Sequence, residues 1–240
     1  LVGNNTTVNG AVTITAAGAV GNAVKDANAV TDAFALTLEG GVKAAASNIY
    51  VDDANAAWTS ATINSTVAAN TVQALNLSGV QATAATHTIK DLTINAATNL
   101  TVGAAGGAAD ITGFDTGATV TNTITVSGAA TSVVLNTIAG AVDVINASGL
   151  TAGGVTADIS GTANEAKFKF TGGAGNDTVI TDAGLTDSAA FIDGGAGVDT
   201  LALTTAETVA AQAARLKNFE TLRLNGAIAQ DVSLLTASAI

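Results

Sequence analysis

The nine residues GGAGNDTVI at positions 172–180 return almost unchanged as GGAGVDTLA at positions 194–202. Both copies place Gly at the first, second and fourth positions, Asp at the sixth and an aliphatic residue at the eighth. Gly permits a tight turn and leaves carbonyl oxygens unshielded, whereas Asp supplies a hard anionic oxygen. The aliphatic residue marks a strand with one buried face. The stretch therefore predicts two tight turns, each leading into a strand and each carrying oxygen ligands for a hard cation such as Ca²⁺.

Short runs of alternating apolar and polar residues fill the rest of the chain, as in 11–15, 91–95 and 123–126. Such runs are typical of strands, and the Gly, Asn, Asp and Ser between them favour turns. Val126, Leu135 and Val144 follow one another at intervals of nine residues. A fixed period of this size predicts a stacked coil, although a β-sandwich with short hairpins also produces a strand every 8–12 residues.

The expected fold class is therefore mainly all-β, a parallel β-helix or solenoid-like stack with few short helices. We divide the chain into residues 1–118, an irregular β-rich domain that is either a solenoid or a sandwich, and residues 119–240, a solenoid-like domain that contains the repeats at 172–202. A capping-box pattern at Thr204–Glu207 predicts a helix from Thr204 to Asn218.

The composition and the net charge of the chain argue against several classes of function. Charged residues make up 11% of the chain, against a usual value of about 25%, and aromatic residues only 3%. The net charge is −11 and the Lys and Arg residues form no cluster, which argues against nucleic acid as a partner. No apolar run approaches the length of a transmembrane helix. The chain has no Cys, which excludes a disulfide. Its one His, His87, excludes a two-His metal site and has no Gly-x-Ser-x-Gly motif with it, so we do not expect an enzyme.

The tetrad at residues 114–117 matches a catalytic motif. Phe114-Asp115-Thr116-Gly117 matches the hydrophobic-Asp-Thr-Gly sequence of aspartic proteases, which need two such carboxylates. A second copy is absent and the flanking residues are typical of a turn, so we interpret Asp115 as a turn residue.

The two nonapeptides resemble RTX repeats, the calcium-binding repeats of proteins exported by Gram-negative type I secretion. In that family the ion lies between stacked turns, held by Asp carboxylates and by carbonyl groups of the glycine-rich turn. The resemblance implies a Ca²⁺ site with Asp177 and Asp199 as side-chain ligands. It also implies backbone ligands, which are Gly172, Ala174, Gly194 and Ala196.

The spacing departs from the family. RTX turns on the same side lie two nonapeptides apart, about 18 residues, whereas these two copies begin 22 residues apart, at Gly172 and Gly194. The segment 181–193 is longer than a nonapeptide and lacks its glycines. Asp182, Asp187 or Asp193 is therefore a candidate to replace a standard ligand, and Asp193, directly before the second Gly pair, is the best of the three.

The strand composition, together with the segment 216–224 after the repeats, resembles bacterial surface-layer proteins of the RTX type. This resemblance implies a secreted structural protein that self-associates into a calcium-dependent lattice on the cell surface, with a cell-surface polysaccharide or lipopolysaccharide as a further partner. Two alternatives remain open: an adhesin or biofilm-matrix module, and the noncatalytic tail of a type I-secreted enzyme.

Overall fold

The computed structural model describes residues 6–8, 12–16, 22–26, 33–38, 48–52, 59–72, 74–77, 89–103, 111–115, 117, 119–138, 141–162, 165–182 and 184–240. For the strands before residue 35, for 48–52 and for residue 165 it describes the backbone only. The predicted all-β class is confirmed, because strands dominate and every pair of strands in the described ranges is parallel.

The strands form three sheets. The largest has nine strands, in the order β2 (Val12–Ala16), β4 (Ala33–Leu38), β6 (Ser60–Ser65), β9 (Asp91–Ala96), β12 (Asn122–Gly128), β14 (Val142–Leu150), β16 (Lys169–Thr171), β18 (Phe191–Asp193) and β20 (Leu216–Lys217). The second has seven, in the order β7 (Asn70–Val72), β10 (Leu100–Val102), β13 (Ser132–Leu135), β15 (Gly154–Asp158), β17 (Thr178–Thr181), β19 (Thr200–Leu203) and β21 (Thr221–Leu224). The third has five, in the order β1 (Thr6–Val8), β3 (Asn22–Asp26), β5 (Asn48–Asp52), β8 (Ala74–Asn76) and β11 (Ile111–Thr112).

From β12 onward, consecutive strands alternate between the nine-stranded and the seven-stranded sheet. The interval of nine residues in the sequence is thus the step from one sheet to the other. Two changes of sheet return the chain beside its earlier pass, and Thr178 of β17 accordingly pairs with Thr200 of β19, 22 residues further along the chain. Strands from both sides of residue 118 belong to the nine-stranded sheet. The domain division at that residue stays a prediction.

The core lies between the sheets. Along β6 and β9, buried residues alternate with more exposed ones, as the period of two requires. Their buried side chains include Ile63, Leu92 and Ile94. The core also holds four of the six Phe residues, which are Phe114, Phe168, Phe170 and Phe219. It is therefore bulkier than a composition rich in Ala and Gly suggests.

The helix predicted for Thr204 to Asn218 is largely wrong. The only α-helix in the described ranges is α1 (Ala210–Ala213), and short 3₁₀ turns occupy Glu165–Lys167 and Val232–Leu234. Glu207 does not complete a capping box at Thr204, because its carboxylate accepts the N–H groups of Val209 and Gly184 instead. Residues 216–217 then join the nine-stranded sheet as β20, which ends any longer helix.

Candidate metal centre

The two nonapeptides lie directly beside each other in the fold. Because β17 and β19 are neighbours in register, the turn at 172–177 is stacked on the turn at 194–199. The amide of Ala196 donates to the carbonyl oxygen of Gly173 at 3.1 Å. The 22-residue spacing that departs from the RTX pattern thus equals the step from β17 to its neighbour β19 in the seven-stranded sheet, which is why the two motifs lie side by side.

The glycines at the first position of each motif allow this stacking. A Cβ atom on Gly172 would collide with the carbonyl oxygen of Gly194 and with Oδ2 of Asp177. A Cβ atom on Gly194 would collide with the carbonyl oxygen of Asn218 and lie 2.7 Å from Oδ2 of Asp199. The first glycine of each motif therefore leaves a small space beside its Cα atom. A carboxylate oxygen of the same turn and a carbonyl oxygen of the next turn converge on this space.

The acidic side chains form a ladder across the turns. The Val155 amide donates to Oδ1 of Asp177 at 2.6 Å, and the Asp177 amide donates to Oδ1 of Asp199 at 2.6 Å. The Asp199 amide donates to Oε2 of Glu220 at 2.8 Å. Each carboxylate thus bonds the backbone of the turn before it. Glu220 repeats the acidic position of the motif in a third turn that lacks the glycines.

The two motif aspartates differ in their second oxygen. Oδ2 of Asp177 accepts the Gly173 amide at 2.7 Å, so both of its carboxylate oxygens are bonded. Oδ2 of Asp199 is buried and has no hydrogen-bond partner among the described residues. Both side chains are almost completely buried, with relative exposures of 1% for Asp177 and 0% for Asp199. An unpaired, buried carboxylate oxygen is costly unless a proton or a cation neutralises it.

The electrostatics agree with this difference. Burial, together with the nearby carboxylates of Asp177, Glu220 and Asp193, raises the pKa of Asp199 to about 6, against the lowering effect of the Asp177 amide. Burial also raises the pKa of Asp177, but two backbone N–H groups oppose that effect. Asp199 therefore lies in the more strongly negative environment and is the better ligand for a cation.

The other predicted ligands lie in the same stack of turns. Gly172 and Gly194 donate their amides to the carbonyl groups of Asp193 and Lys217, both at 2.9 Å. Ala174 and Ala196 are exposed at the tips of the turns. Oδ1 of Asp193 accepts the Gly195 amide at 3.1 Å and Nδ2 of Asn218 at 2.7 Å.

The other two acidic candidates serve elsewhere. Asp187 lies in a separate cavity on the nine-stranded sheet, and the pKa of Asp182 is raised by burial and by Asp158 rather than by the motif aspartates.

The residues fit a cation at Asp199 better than at Asp177. The donor set there consists of hard oxygens, from the unpaired Oδ2 of Asp199 and the carbonyl of Asn218, and it combines a carboxylate with a backbone carbonyl as Ca²⁺ prefers. Within the described ranges no group of three or more His, Cys, Asp or Glu side chains is arranged to hold a metal ion. The fit thus depends on a backbone oxygen, that of Asn218, which is not among the backbone ligands that the RTX resemblance implies.

Sequence reasoning missed two residues of this site, Asn218 and Glu220. A usable signal existed, since Glu220 follows Asp199 by nearly the same step that separates Asp199 from Asp177. Asn218 adopts a φ of +55°, a left-handed conformation that Asn tolerates better than most residues. Both lie in the segment 216–224, which contributes to the resemblance to surface-layer proteins but which the motif pattern does not mark as ligands.

Several sequence features lie elsewhere. In the tetrad, the Gly117 amide donates to Oδ1 of Asp115 at 2.8 Å, which agrees with a turn. His87 lies outside the described residues. In the part of the chain that the structure describes, no helix is long and apolar enough to cross a membrane.

Comparison with known proteins adds no relative. A scan against models of protein families gives no match, and searches of curated proteins and of solved structures likewise return no similar protein.

Proposed function

We propose that this chain is a structural segment of a calcium-dependent bacterial surface layer, built as a β-solenoid whose turns are locked by Ca²⁺ near Asp199. The observation that carries the calcium part is the buried Oδ2 of Asp199, which lacks a hydrogen-bond partner in the described structure and converges with the carbonyl of Asn218. The repeats at 172–202 and their resemblance to RTX turns support the same assignment.

The sheets support a structural role. Parallel strands that each pair only with their neighbours in the sheet order build a stiff body. On the outer face of the nine-stranded sheet, Asn95 bonds Asn64 at 2.8 Å and Ser127 bonds Asn95 at 3.1 Å. This face is polar but weakly charged between β6 and β12. Such faces repel one another little, and many weak contacts repeated by symmetry hold an ordered sheet of subunits.

Calcium would act as a folding ligand. In its absence the carboxylates of Asp177, Asp199 and Glu220 lie close together, and only hydrogen bonds from the backbone offset their repulsion. A bound cation adds its binding free energy to the stability of the folded chain. A weak extracellular-type affinity leaves the chain loose where calcium is scarce and folded outside the cell.

The test is electron microscopy of the purified chain at high concentration, with millimolar CaCl₂ or with EGTA. We expect ordered two-dimensional arrays with calcium and dispersed particles without it. MgCl₂ at equal ionic strength is the control for general screening of the charge of −11. The variant Asp115→Asn removes one negative charge outside the site, so its array formation should still respond to calcium.

Two results would overturn parts of this proposal. A chain that binds calcium but stays monomeric at every concentration contradicts the surface-layer function and favours the adhesin or the enzyme-tail alternative. Arrays that form equally in EGTA contradict the calcium dependence.

A further inference from the structure

A cavity of about 170 Å³ opens on the outer side of the nine-stranded sheet, away from the motif turns. Four consecutive passes of the chain line it, at the points where β12, β14, β16 and β18 begin. Its lining residues are Thr121, Asp143, Val144, Lys167, Lys169, Asp187 and Ala189. The volume suits one sugar-sized ring rather than a large ligand.

The floor of the cavity is held rigidly. Nζ of Lys167 lies 2.8 Å from Oδ1 of Asp143, whose side chain is only 7% exposed. The other oxygen of Asp143 accepts the Asn122 amide at 2.9 Å. The Asp187 amide donates to the carbonyl of Ala166 at 2.9 Å, which fixes the rim. A site whose walls are already ordered loses little entropy when a ligand binds.

The groups that face a ligand are chemically mixed. Within the described structure, the Lys169 ammonium, the Thr121 hydroxyl and Oδ2 of Asp187 make no hydrogen bond or ion pair. One cationic donor, one anionic acceptor and one hydroxyl thus lie around the apolar side chains of Val144 and Ala189. A polyhydroxylated ring complements this set of groups. Each of its hydroxyls both donates and accepts a hydrogen bond, and its carbons present apolar C–H groups.

Basic residues are rare in this chain, and several of them lie in or near the cavity. The whole protein carries only eight Lys and Arg residues. Lys169 lies beside Phe191 in register, and Nζ of Lys217 lies 5.4 Å from the centroid of the Phe191 ring. Lys167 precedes β16 and pairs with Asp143, whereas Lys169 lies on β16 and Lys217 on β20. Asp143 pairs with Lys167, so Lys169 is the cationic group of the cavity that has no acidic partner among the described residues, and it is the group that attracts an anion.

We propose that this cavity binds a hexuronate unit of an acidic glycan. The sugar carboxylate pairs with Lys169, the ring hydroxyls bond Asp187 and Thr121, and the ring packs on Val144 and Ala189. The proposal goes beyond the surface-layer function and requires neither calcium nor assembly. Binding therefore tests it separately from the array experiment.

The test is isothermal titration of the intact chain with an oligomer of four hexuronate units, at low salt and in EGTA, because uronates themselves bind calcium. A neutral glucan oligomer of the same length and inorganic phosphate are the comparison ligands. We expect saturable binding of the uronate oligomer and much weaker binding of the other two. Lys169→Gln should weaken the uronate at least about tenfold, since it removes a charged hydrogen bond.

Two further variants sharpen the test. Asp187→Asn should weaken binding several-fold through the lost hydroxyl contacts. Arg223→Gln, which removes an equal charge from an exposed position of β21 in the seven-stranded sheet, should leave binding unchanged. Circular dichroism confirms that the variants fold.

Four outcomes contradict the proposal. No binding by the folded wild type excludes the site, and equal binding of the glucan excludes a role for the carboxylate. Phosphate that competes as well as the oligomer indicates a simple anion site. Equal losses in Lys169→Gln and Arg223→Gln indicate general charge attraction.

Discussion

Asp177 and Asp199 occupy the same position of the same motif, yet they have different physical roles. Asp177 spends both carboxylate oxygens on backbone amides, those of Val155 and Gly173. Asp199 spends one oxygen on the amide of Asp177 and leaves the other unpaired beside the carbonyl of Asn218. Asp177 therefore only joins neighbouring turns by hydrogen bonds. Asp199 also joins two turns, but it keeps one buried carboxylate oxygen without a hydrogen-bond partner among the described residues. The sequence predicts both residues as ligands but does not distinguish them, because the backbone N–H groups that reach each carboxylate are known only from the folded stack of turns.

Conservative substitutions should therefore have opposite effects. In EGTA at pH 7, Asp199→Asn should raise the free energy of unfolding, because the new amide group donates to the Asn218 carbonyl and a buried charge is removed. Asp177→Asn should lower it by about 1–3 kcal/mol, because an NH₂ group then faces the Gly173 amide. Urea denaturation followed by circular dichroism measures both. Equal signs for the two variants would contradict the different roles, and Asp115→Asn is the control for charge alone.

The raised pKa of Asp199 also predicts a pH dependence. Its pKa is about 6 in the folded chain against an ordinary value of 3.8, so the folded state binds the proton more tightly than the unfolded state. Its stabilising contribution is complete below about pH 4 and is lost as the pH rises through 6. Without calcium, the melting temperature should therefore be higher at pH 5 than at pH 7.5. Asp199→Asn should flatten this profile and Asp115→Asn should not; a profile unchanged in Asp199→Asn would assign the dependence to other groups.

At the scale of single elements, the turns depend on the glycines at their first positions. Gly194 lies so close to the next turn that a Cβ atom would collide with the Asn218 carbonyl. The glycine at position 161 differs, because a Cβ atom there would meet the carbonyl oxygen of Ile138 at an ordinary distance of 3.6 Å. The motif glycines thus serve close approach between turns, which a single sequence does not separate from a need for flexibility.

Gly194→Ala should destabilise the chain by about 1–3 kcal/mol, because the turn must move away from its neighbour. Gly161→Ala should be neutral or slightly stabilising, since alanine reduces the conformational entropy of the unfolded chain. The difference in free energy of unfolding between the two variants is the measurement. Similar destabilisation by both would mean that stacking distance does not explain the motif glycines.

The strands and the helix differ in how well the sequence predicts them. Strands such as β9 and β12 are predicted well, because their alternation is strong and the structure buries the alternating face. The helix after residue 204 is predicted at the wrong length, because pairing of β20 with β18 overrides its local preference. The motif predicts Asp177 and Asp199 as ligands, and this assignment stays a prediction, whereas Asn218 and Glu220 come into view only once the third turn is stacked on the second. Long-range register, rather than local propensity, is what the single sequence lacks.

At the scale of the whole molecule, the sheet order sets how far a disturbance travels. Each inner strand pairs only with the strands on its two sides, as β17 does with β15 and β19. In such an array stability is close to a sum of local and nearest-neighbour contributions. A ligand at one turn therefore protects the neighbouring turns most and distant turns little.

Removal of calcium should thus loosen the chain locally. In EGTA, hydrogen exchange should accelerate first in residues 170–204 and in β21, because the carboxylates of the stacked turns repel one another there once the cation leaves. Exchange in β6 and β9 should stay unchanged, since several strands separate them from Asp199. Mass spectrometry of peptides after timed deuterium labelling resolves these segments. The same labelling of Asp199→Asn should show little response to EGTA, because that variant has lost the charge that the cation neutralises. Uniform acceleration along the whole chain would indicate one cooperative unit, and no change in residues 170–204 would contradict the calcium site.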